Sequence, residues 1–126
     1  MNSWQYRYDT GWINRSDWTN VHLGSNTTLN TDSNVTHNLN APLSNLLVKL
    51  FLSTDGTDAN SFEVATNIGA LSDGGSVHGV TVYQVDANNI KLQTATNGLI
   101  IVQDSGAYLT VDTENWYYKI KAWYIG

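Results

Sequence analysis

Two acidic triplets are the sharpest chemical signals in the chain. Asp9-Thr10-Gly11 and Asp104-Ser105-Gly106 each set a carboxylate on an Asp-Thr/Ser-Gly tripeptide. Aspartic proteases use such loops because two adjacent carboxylates must share one proton. A two-lobed enzyme of that kind needs far more chain than 126 residues. A dimeric one needs an apolar strand directly before the triplet, where this chain has Gln5-Tyr6-Arg7-Tyr8. Asp-x-Gly is also an ordinary turn, in which the aspartate bonds its own backbone two residues on. The turn is the expected reading, with a dimeric aspartic protease as the remote alternative. His22, His37 and His78 are scattered, with no H-x-x-x-H spacing for a metal and no G-x-S-x-G elbow for a serine nucleophile. The chain is therefore expected to be no enzyme and to carry no metal or cofactor. Asp55-Gly56-Thr57-Asp58-Ala59-Asn60 offers oxygen ligands at close spacing, but its glycine position and lack of a closing glutamate do not match an EF-hand loop. It is expected to be a hairpin turn, with calcium as the other use of its oxygens.

The remaining chemistry is aromatic and polar. Five Trp and seven Tyr can stack on sugar rings or fill a core, because each is an amphipathic ring with a polar tip. Trp12, Trp116 and Tyr118 are expected in the core, and Tyr83 and Tyr108, beside polar turns, at the surface. The candidate ligand-binding residues are Asp55, Asp58, Asn60, Asp73, His78, Asp104 and Tyr108, all on predicted polar loops. They supply the donors, acceptors and stacking faces that a hydroxyl-rich ligand needs. Three N-x-S/T sequons begin at Asn14, Asn26 and Asn34, at a density that chance allows in a chain so rich in Asn and Thr.

Composition narrows the classes. Charged residues make up 13%, about half the usual share, and Asn, Thr, Ser and Gly take their place. A net charge of −5 disfavours nucleic acid and anionic membranes as partners. The absence of cysteine removes disulfides and thiol chemistry. The apolar runs Leu46 to Leu52 and Leu99 to Val102 are far too short to span a bilayer as helices, and Met1-Asn2-Ser3-Trp4 has no signal-peptide pattern.

The elements that must position these residues are strands. The ending Trp116-Tyr117-Tyr118-Lys119-Ile120-Lys121-Ala122-Trp123-Tyr124-Ile125-Gly126 alternates strictly. Trp116, Tyr118, Ile120, Ala122 and Tyr124 share one face, and Tyr117, Lys119, Lys121, Trp123 and Ile125 share the other. It is expected to be a central strand, with its second face shallowly exposed or covered by another subunit. Tyr117, Trp123 and Ile125 are the candidate trimer-interface residues. Leu46 to Ser53 repeats the pattern, with Leu46, Val48, Leu50 and Leu52 on one face. Further strands are expected over 61–66, 80–85, 90–96, 99–103 and 108–112, with a weak edge strand within 34–39, and turn chemistry between them. The stretch 67–78 lacks clear periodicity and reads as a long loop. The sum is an all-β, antiparallel sandwich of about seven or eight short strands, one domain over 1–126, with residues 1–8 a lead-in from a longer fibre.

Asp9-Thr10-Gly11-Trp12, His37-Asn38-Leu39 leading into Leu46–Ser53, and the ending Tyr118-Lys119-Ile120-Lys121-Ala122-Trp123-Tyr124-Ile125 together resemble the H-type lectin-like sandwich, a fold that also caps trimeric fibres of phages and related adhesins. The resemblance implies a compact sandwich that trimerises at a fibre tip, on an extracellular or virion surface, and binds a receptor, above all a cell-surface glycan. H-type lectins hold their sugar with a Trp-His pair before the last strand. This chain reads Gln103-Asp104-Ser105-Gly106-Ala107-Tyr108 there, so the resemblance does not carry galactosamine-type specificity. The alternative of a different class is a structural trimerisation cap with no ligand.

Overall fold

The computed structural model describes residues 7–14, 35–64, 71–73, 76–94, 99–111 and 116–126. The protein is all-β, and every strand pair among the described residues is antiparallel. Among the described residues twelve strands run in chain order: β1 (Arg7–Asp9), β2 (Ile13–Asn14), β3 (Val35–Thr36), β4 (Leu46–Ser53), β5 (Ser61–Val64), β6 (Leu71–Asp73), β7 (Ser76–His78), β8 (Val80–Asp86), β9 (Asn89–Thr94), β10 (Leu99–Val102), β11 (Tyr108–Val111) and β12 (Tyr117–Tyr124).

β12 is central, as its alternation predicts. It pairs with β4 over its whole length, from Tyr117↔Ser53 to Tyr124↔Leu46, and with β1 and β2 on its other edge. β5 adds to β4 to complete a five-stranded sheet. β3, β9 and β8 form a three-stranded sheet, while β6–β7 and β10–β11 are separate hairpins. The side-chain period of two sends Tyr118, Ile120, Leu50, Leu52 and Val64 to one face, where they join Val35, Val80, Ile90, Leu92 and Leu99 in one buried cluster. Leu50, Leu52, Ile90, Leu92, Leu99 and Ile120 are fully buried, each a contribution of about 1.5–3 kcal/mol. Trp116 packs against this cluster, edge to face with Phe62 at 5.9 Å. Burial raises the Tyr118 phenol pKa well above its ordinary value, with the Tyr8 phenol adding to the rise.

The stretch 67–78 contains a short hairpin, with Leu71 opposite His78 and Asp73 opposite Ser76. Its three-residue strands are too brief for periodicity to reveal. The predicted turns at 16–19, Asn97-Gly98 and 113–115, the sequon at Asn26 and the acceptor Asn34 lie outside the described residues. Asn14, which opens the first sequon, pairs with Tyr117 in the sheet. Arg7 and Tyr8, expected in a lead-in, are ladder residues of β1 opposite Trp123 and Ala122.

The segment after β3 is tied to the β8–β9 turn. The His37 and Ala41 amides donate to the Asn88 and Ala87 carbonyls at 2.9 and 2.8 Å, and the Asn40 amide donates to Asn88 Oδ1 at 2.8 Å. Asn38 and Asn40 take left-handed φ values of 57° and 49°, which asparagine adopts more readily than most side chains. His37 is buried, and its Nδ1 accepts the Leu39 amide at 3.0 Å. An accepting Nδ1 leaves the proton of the neutral ring on Nε2, which has no partner among the described residues. Burial lowers the His37 pKa, opposed by the nearby Asp86 carboxylate.

Candidate functional site

The face of β12 turned away from the core carries the densest chemistry in the described residues. Tyr117, Lys119, Lys121 and Trp123 lie on it and are half-buried. β4 places Phe51 opposite Lys119, Lys49 opposite Lys121 and Leu47 opposite Trp123. β1 places Asp9 opposite Lys121 and Arg7 opposite Trp123.

At one end, Trp12 and Asp58 converge on Lys119. The Trp12 indole N–H donates to Asp58 Oδ1 at 2.9 Å. The Lys119 ammonium lies 4.5 Å from the centre of the Trp12 ring and 3.3 Å from the same carboxylate oxygen. The Lys119 side chain is 13% exposed and that of Asp58 83%, so the cation is withdrawn while its counter-ion faces solvent. The Trp12 N–H and Lys119 both hold the Asp58 pKa below its ordinary value. A cation over an indole contributes about 0.5–2 kcal/mol, more as it is desolvated.

At the other end, Lys121 sits 5.4 Å from the centre of the Trp123 ring and 3.7 Å from Asp9 Oδ2. Lys49, directly opposite Lys121, is paired instead with Glu63 at 3.0 Å. The two facing lysines therefore each have a carboxylate of their own, which relieves their cross-strand repulsion. The face can offer stacking surfaces, ammonium donors and carboxylate acceptors on strands that hold them in fixed register. Trp12 was expected in the core. Gly11, at φ 70°, turns the chain after β1, and the indole instead reaches Asp58. Sequence reasoning found Lys119, Lys121 and their bracketing aromatics. It missed Trp12, Arg7 and Asp9 as their neighbours, because cross-strand register is not written locally.

The predicted site residues are dispersed. The buried Ser53 Oγ accepts the Gly56 and Thr57 amides at 3.0 and 3.1 Å and donates to the Thr57 carbonyl at 2.9 Å. Asp55 accepts the Thr57 amide, the Thr57 hydroxyl and the Asn60 side-chain amide at 3.0, 2.6 and 2.6 Å. These bonds, with those of Thr57 and Asn60 foremost, lower its pKa. Asp55 and Asn60 thus shape the turn, while Asp58 reaches the β12 face through Lys119 and Trp12. Asp73 and His78 lie on the β6–β7 hairpin. Asp104 and Tyr108 lie at the tip of the β10–β11 hairpin, closed by the Gln103 amide donating to the Ala107 carbonyl at 2.8 Å and the Gly106 amide to the Gln103 carbonyl at 2.9 Å. Tyr108 and its cross-strand partner Val102 are 71% and 78% exposed. Tyr83 is exposed as expected, with Lys91 over its ring at 5.4 Å.

Of the three candidate interface residues, Tyr117 is half-buried against the backbone of Gly56, while Ile125 is exposed beside Trp123. The two Asp-x-Gly triplets stand on different sheets. Asp9 accepts the Gly11 amide at 2.8 Å, the turn geometry expected of it, and faces Lys121. Thr10 extends the β1 pairing: its amide donates to the Ile120 carbonyl at 3.1 Å, and its hydroxyl accepts the Ile120 amide at 3.0 Å. No group of three or more metal-ligating side chains occurs among the described residues, and no helix among them is long and apolar enough to cross a membrane. No protein-family model, no curated protein and no solved structure matches this chain.

Proposed function

We propose that this chain is a non-enzymatic glycan-binding domain, the trimeric tip of a fibre or adhesin at an extracellular or virion surface, folded as a two-layer sandwich of the H-type lectin-like kind. The single buried cluster shared by the five-stranded sheet, the three-stranded sheet and β10 supports the sandwich. The observation that carries the binding reading is the Trp12–Lys119–Asp58 arrangement. An indole is fixed by a hydrogen bond and a cation beside an 83% exposed carboxylate. A ring and an acceptor already held in place lose little freedom when a sugar stacks and donates its hydroxyls. Trp123 repeats the theme at the far end of the strand. Weak contacts of this kind gain from three-fold display. The test is a glycan array probed with the wild-type chain and with Trp12→Ala and Trp123→Ala, each checked for native β-structure by circular dichroism. Binding that both folded variants lose supports the reading. An array that stays blank for the wild type, or binding indifferent to both substitutions, refutes it.

The second reading, a structural cap, draws on the exposed Val102–Tyr108 pair. The stretch 99–111 carries one charged residue, Asp104, and an apolar, weakly charged hairpin is suited to self-association. Light scattering on a sizing column separates the possibilities. A mass near three chains that falls in a Val102→Glu variant places the contact at this hairpin, whereas a wild-type monomer removes the trimer from both readings.

A further inference from the structure

We infer that the bound saccharide is anionic and that Arg7 recognises its charge, an inference that rests on the glycan-binding reading above. Among the described residues the outer face carries four cations. Lys49, Lys119 and Lys121 are each paired to a carboxylate of the same chain. Arg7 is exposed, and its side chain has no hydrogen bond or ion pair among the described residues. It lies on β1 directly opposite Trp123, whose other cross-strand neighbour is Leu47. Side chains in such positions stand about 5 Å apart at Cβ. A planar guanidinium, an indole and an exposed aliphatic side chain therefore form one row across three strands. Lys121 lies over the Trp123 ring and is balanced by Asp9, so among the described residues Arg7 is the uncompensated cation at that end.

Arginine holds its charge at any physiological pH and offers paired N–H donors that match a carboxylate or a sulfate two-on-two. A pyranose stacked on Trp123 puts an exocyclic acid group within reach of this fork, and Leu47 accepts the apolar side of the ring. The neighbouring carboxylates are already neutralised by their lysines, so they do not repel the anion. A protein with net charge −5 would otherwise disfavour an acidic ligand, so recognition has to be local.

The test is titration calorimetry of the full chain with three probes sharing one oligosaccharide backbone: a uronate-terminated form, its methyl ester and a sulfated form. Tight binding of the uronate or the sulfated probe, weakened about tenfold or more by Arg7→Gln and only partly restored by Arg7→Lys, supports the inference. The tighter of the two probes identifies the acid group. The binding also weakens as salt is raised. Arg7 is exposed, so Arg7→Gln is expected to melt within about 2 °C of wild type, which keeps a binding loss distinct from unfolding. Equal binding of uronate and methyl ester, or unchanged binding by Arg7→Gln, overturns the role of Arg7 and leaves glycan binding standing. Failure to bind any saccharide, neutral or anionic, overturns both.

Discussion

Replacing Ser53 by Ala is expected to loosen the turn that delivers Asp58 to the β12 face. Ser53 is fully buried although its neighbours Thr54 and Asp55 are exposed. Its hydroxyl accepts the Gly56 amide, is one of two acceptors for the Thr57 amide, and donates to the Thr57 carbonyl. Alanine fits the space but makes none of these bonds. Leaving a buried backbone group unpaired costs about 1–3 kcal/mol. The Thr57 amide keeps Asp55 and the Thr57 carbonyl keeps the Asn60 amide at 3.3 Å, so the Gly56 amide alone is left unpaired, and a loss near the middle of that range, about 2 kcal/mol, follows. With about 2.1 cal/mol/K per residue of unfolding entropy over 126 residues, that loss lowers Tm by ~8 °C. Thermal unfolding followed by circular dichroism measures it directly. The same variant should weaken the Trp12–Asp58 contact, seen as a shift of the Trp12 indole N–H resonance. A melting temperature within ~2 °C of wild type would refute the reasoning, because it would mean that water replaces the hydroxyl at no cost.

Gly56→Ala should also destabilise, by about 1–3 kcal/mol in urea unfolding, because φ 80° penalises a side chain and the new Cβ would stand 3.0 Å from the Tyr117 ring. An unchanged urea midpoint would show that the ring moves freely. Thr10→Val removes the acceptor for the Ile120 amide while keeping the shape, and should cost about 1–2 kcal/mol, read as faster amide exchange at Ile120. The burial that lowers the His37 pKa means that the unfolded chain binds the proton more readily than the folded one. The stability His37 supports is therefore complete above about pH 6.5 and is lost as pH falls through its lowered folded value. His37→Asn, which keeps an acceptor for the Leu39 amide, should flatten this dependence in urea unfolding run between neutral and mildly acidic pH. A slope equal to that of the wild type would count against it.

Much of the framework was legible in the residues. The alternation of 116–126 and of Leu46–Ser53 located the two longest strands and divided their faces correctly, because a period of two is a local property of the chain. The turns at 54–60, 86–89 and 103–107 were marked by Asp, Asn and Gly, whose side chains and backbone freedom act over a few residues. Of the strands of two or three residues, β3 showed only as the weak edge strand within 34–39, and β2, β6 and β7 were beyond reach in this way. A strand so short is made by its partner's ladder rather than by its own pattern, and nothing in Leu71–Asp73 or Ser76–His78 distinguishes them from loop.

The candidate site divides along the same line. By itself the sequence determined the all-β class, the aromatic and lysine-bearing second face of the last strand, the exposed Tyr83 and Tyr108, and the ordinary turn at Asp9. Only the tertiary structure decided what those lysines meet. Trp12 lies far from Lys119 in the chain, and Asp58 far from both, yet they converge because β2 and β4 flank β12 and the 53–61 turn folds over its end. The same pairing set Arg7 beside Trp123 and gave Lys49 and Lys121 separate carboxylates. Periodicity records which face a side chain takes. Register, set by contacts between strands distant in sequence, decides its neighbours, and on this face the chemistry belongs to the neighbours.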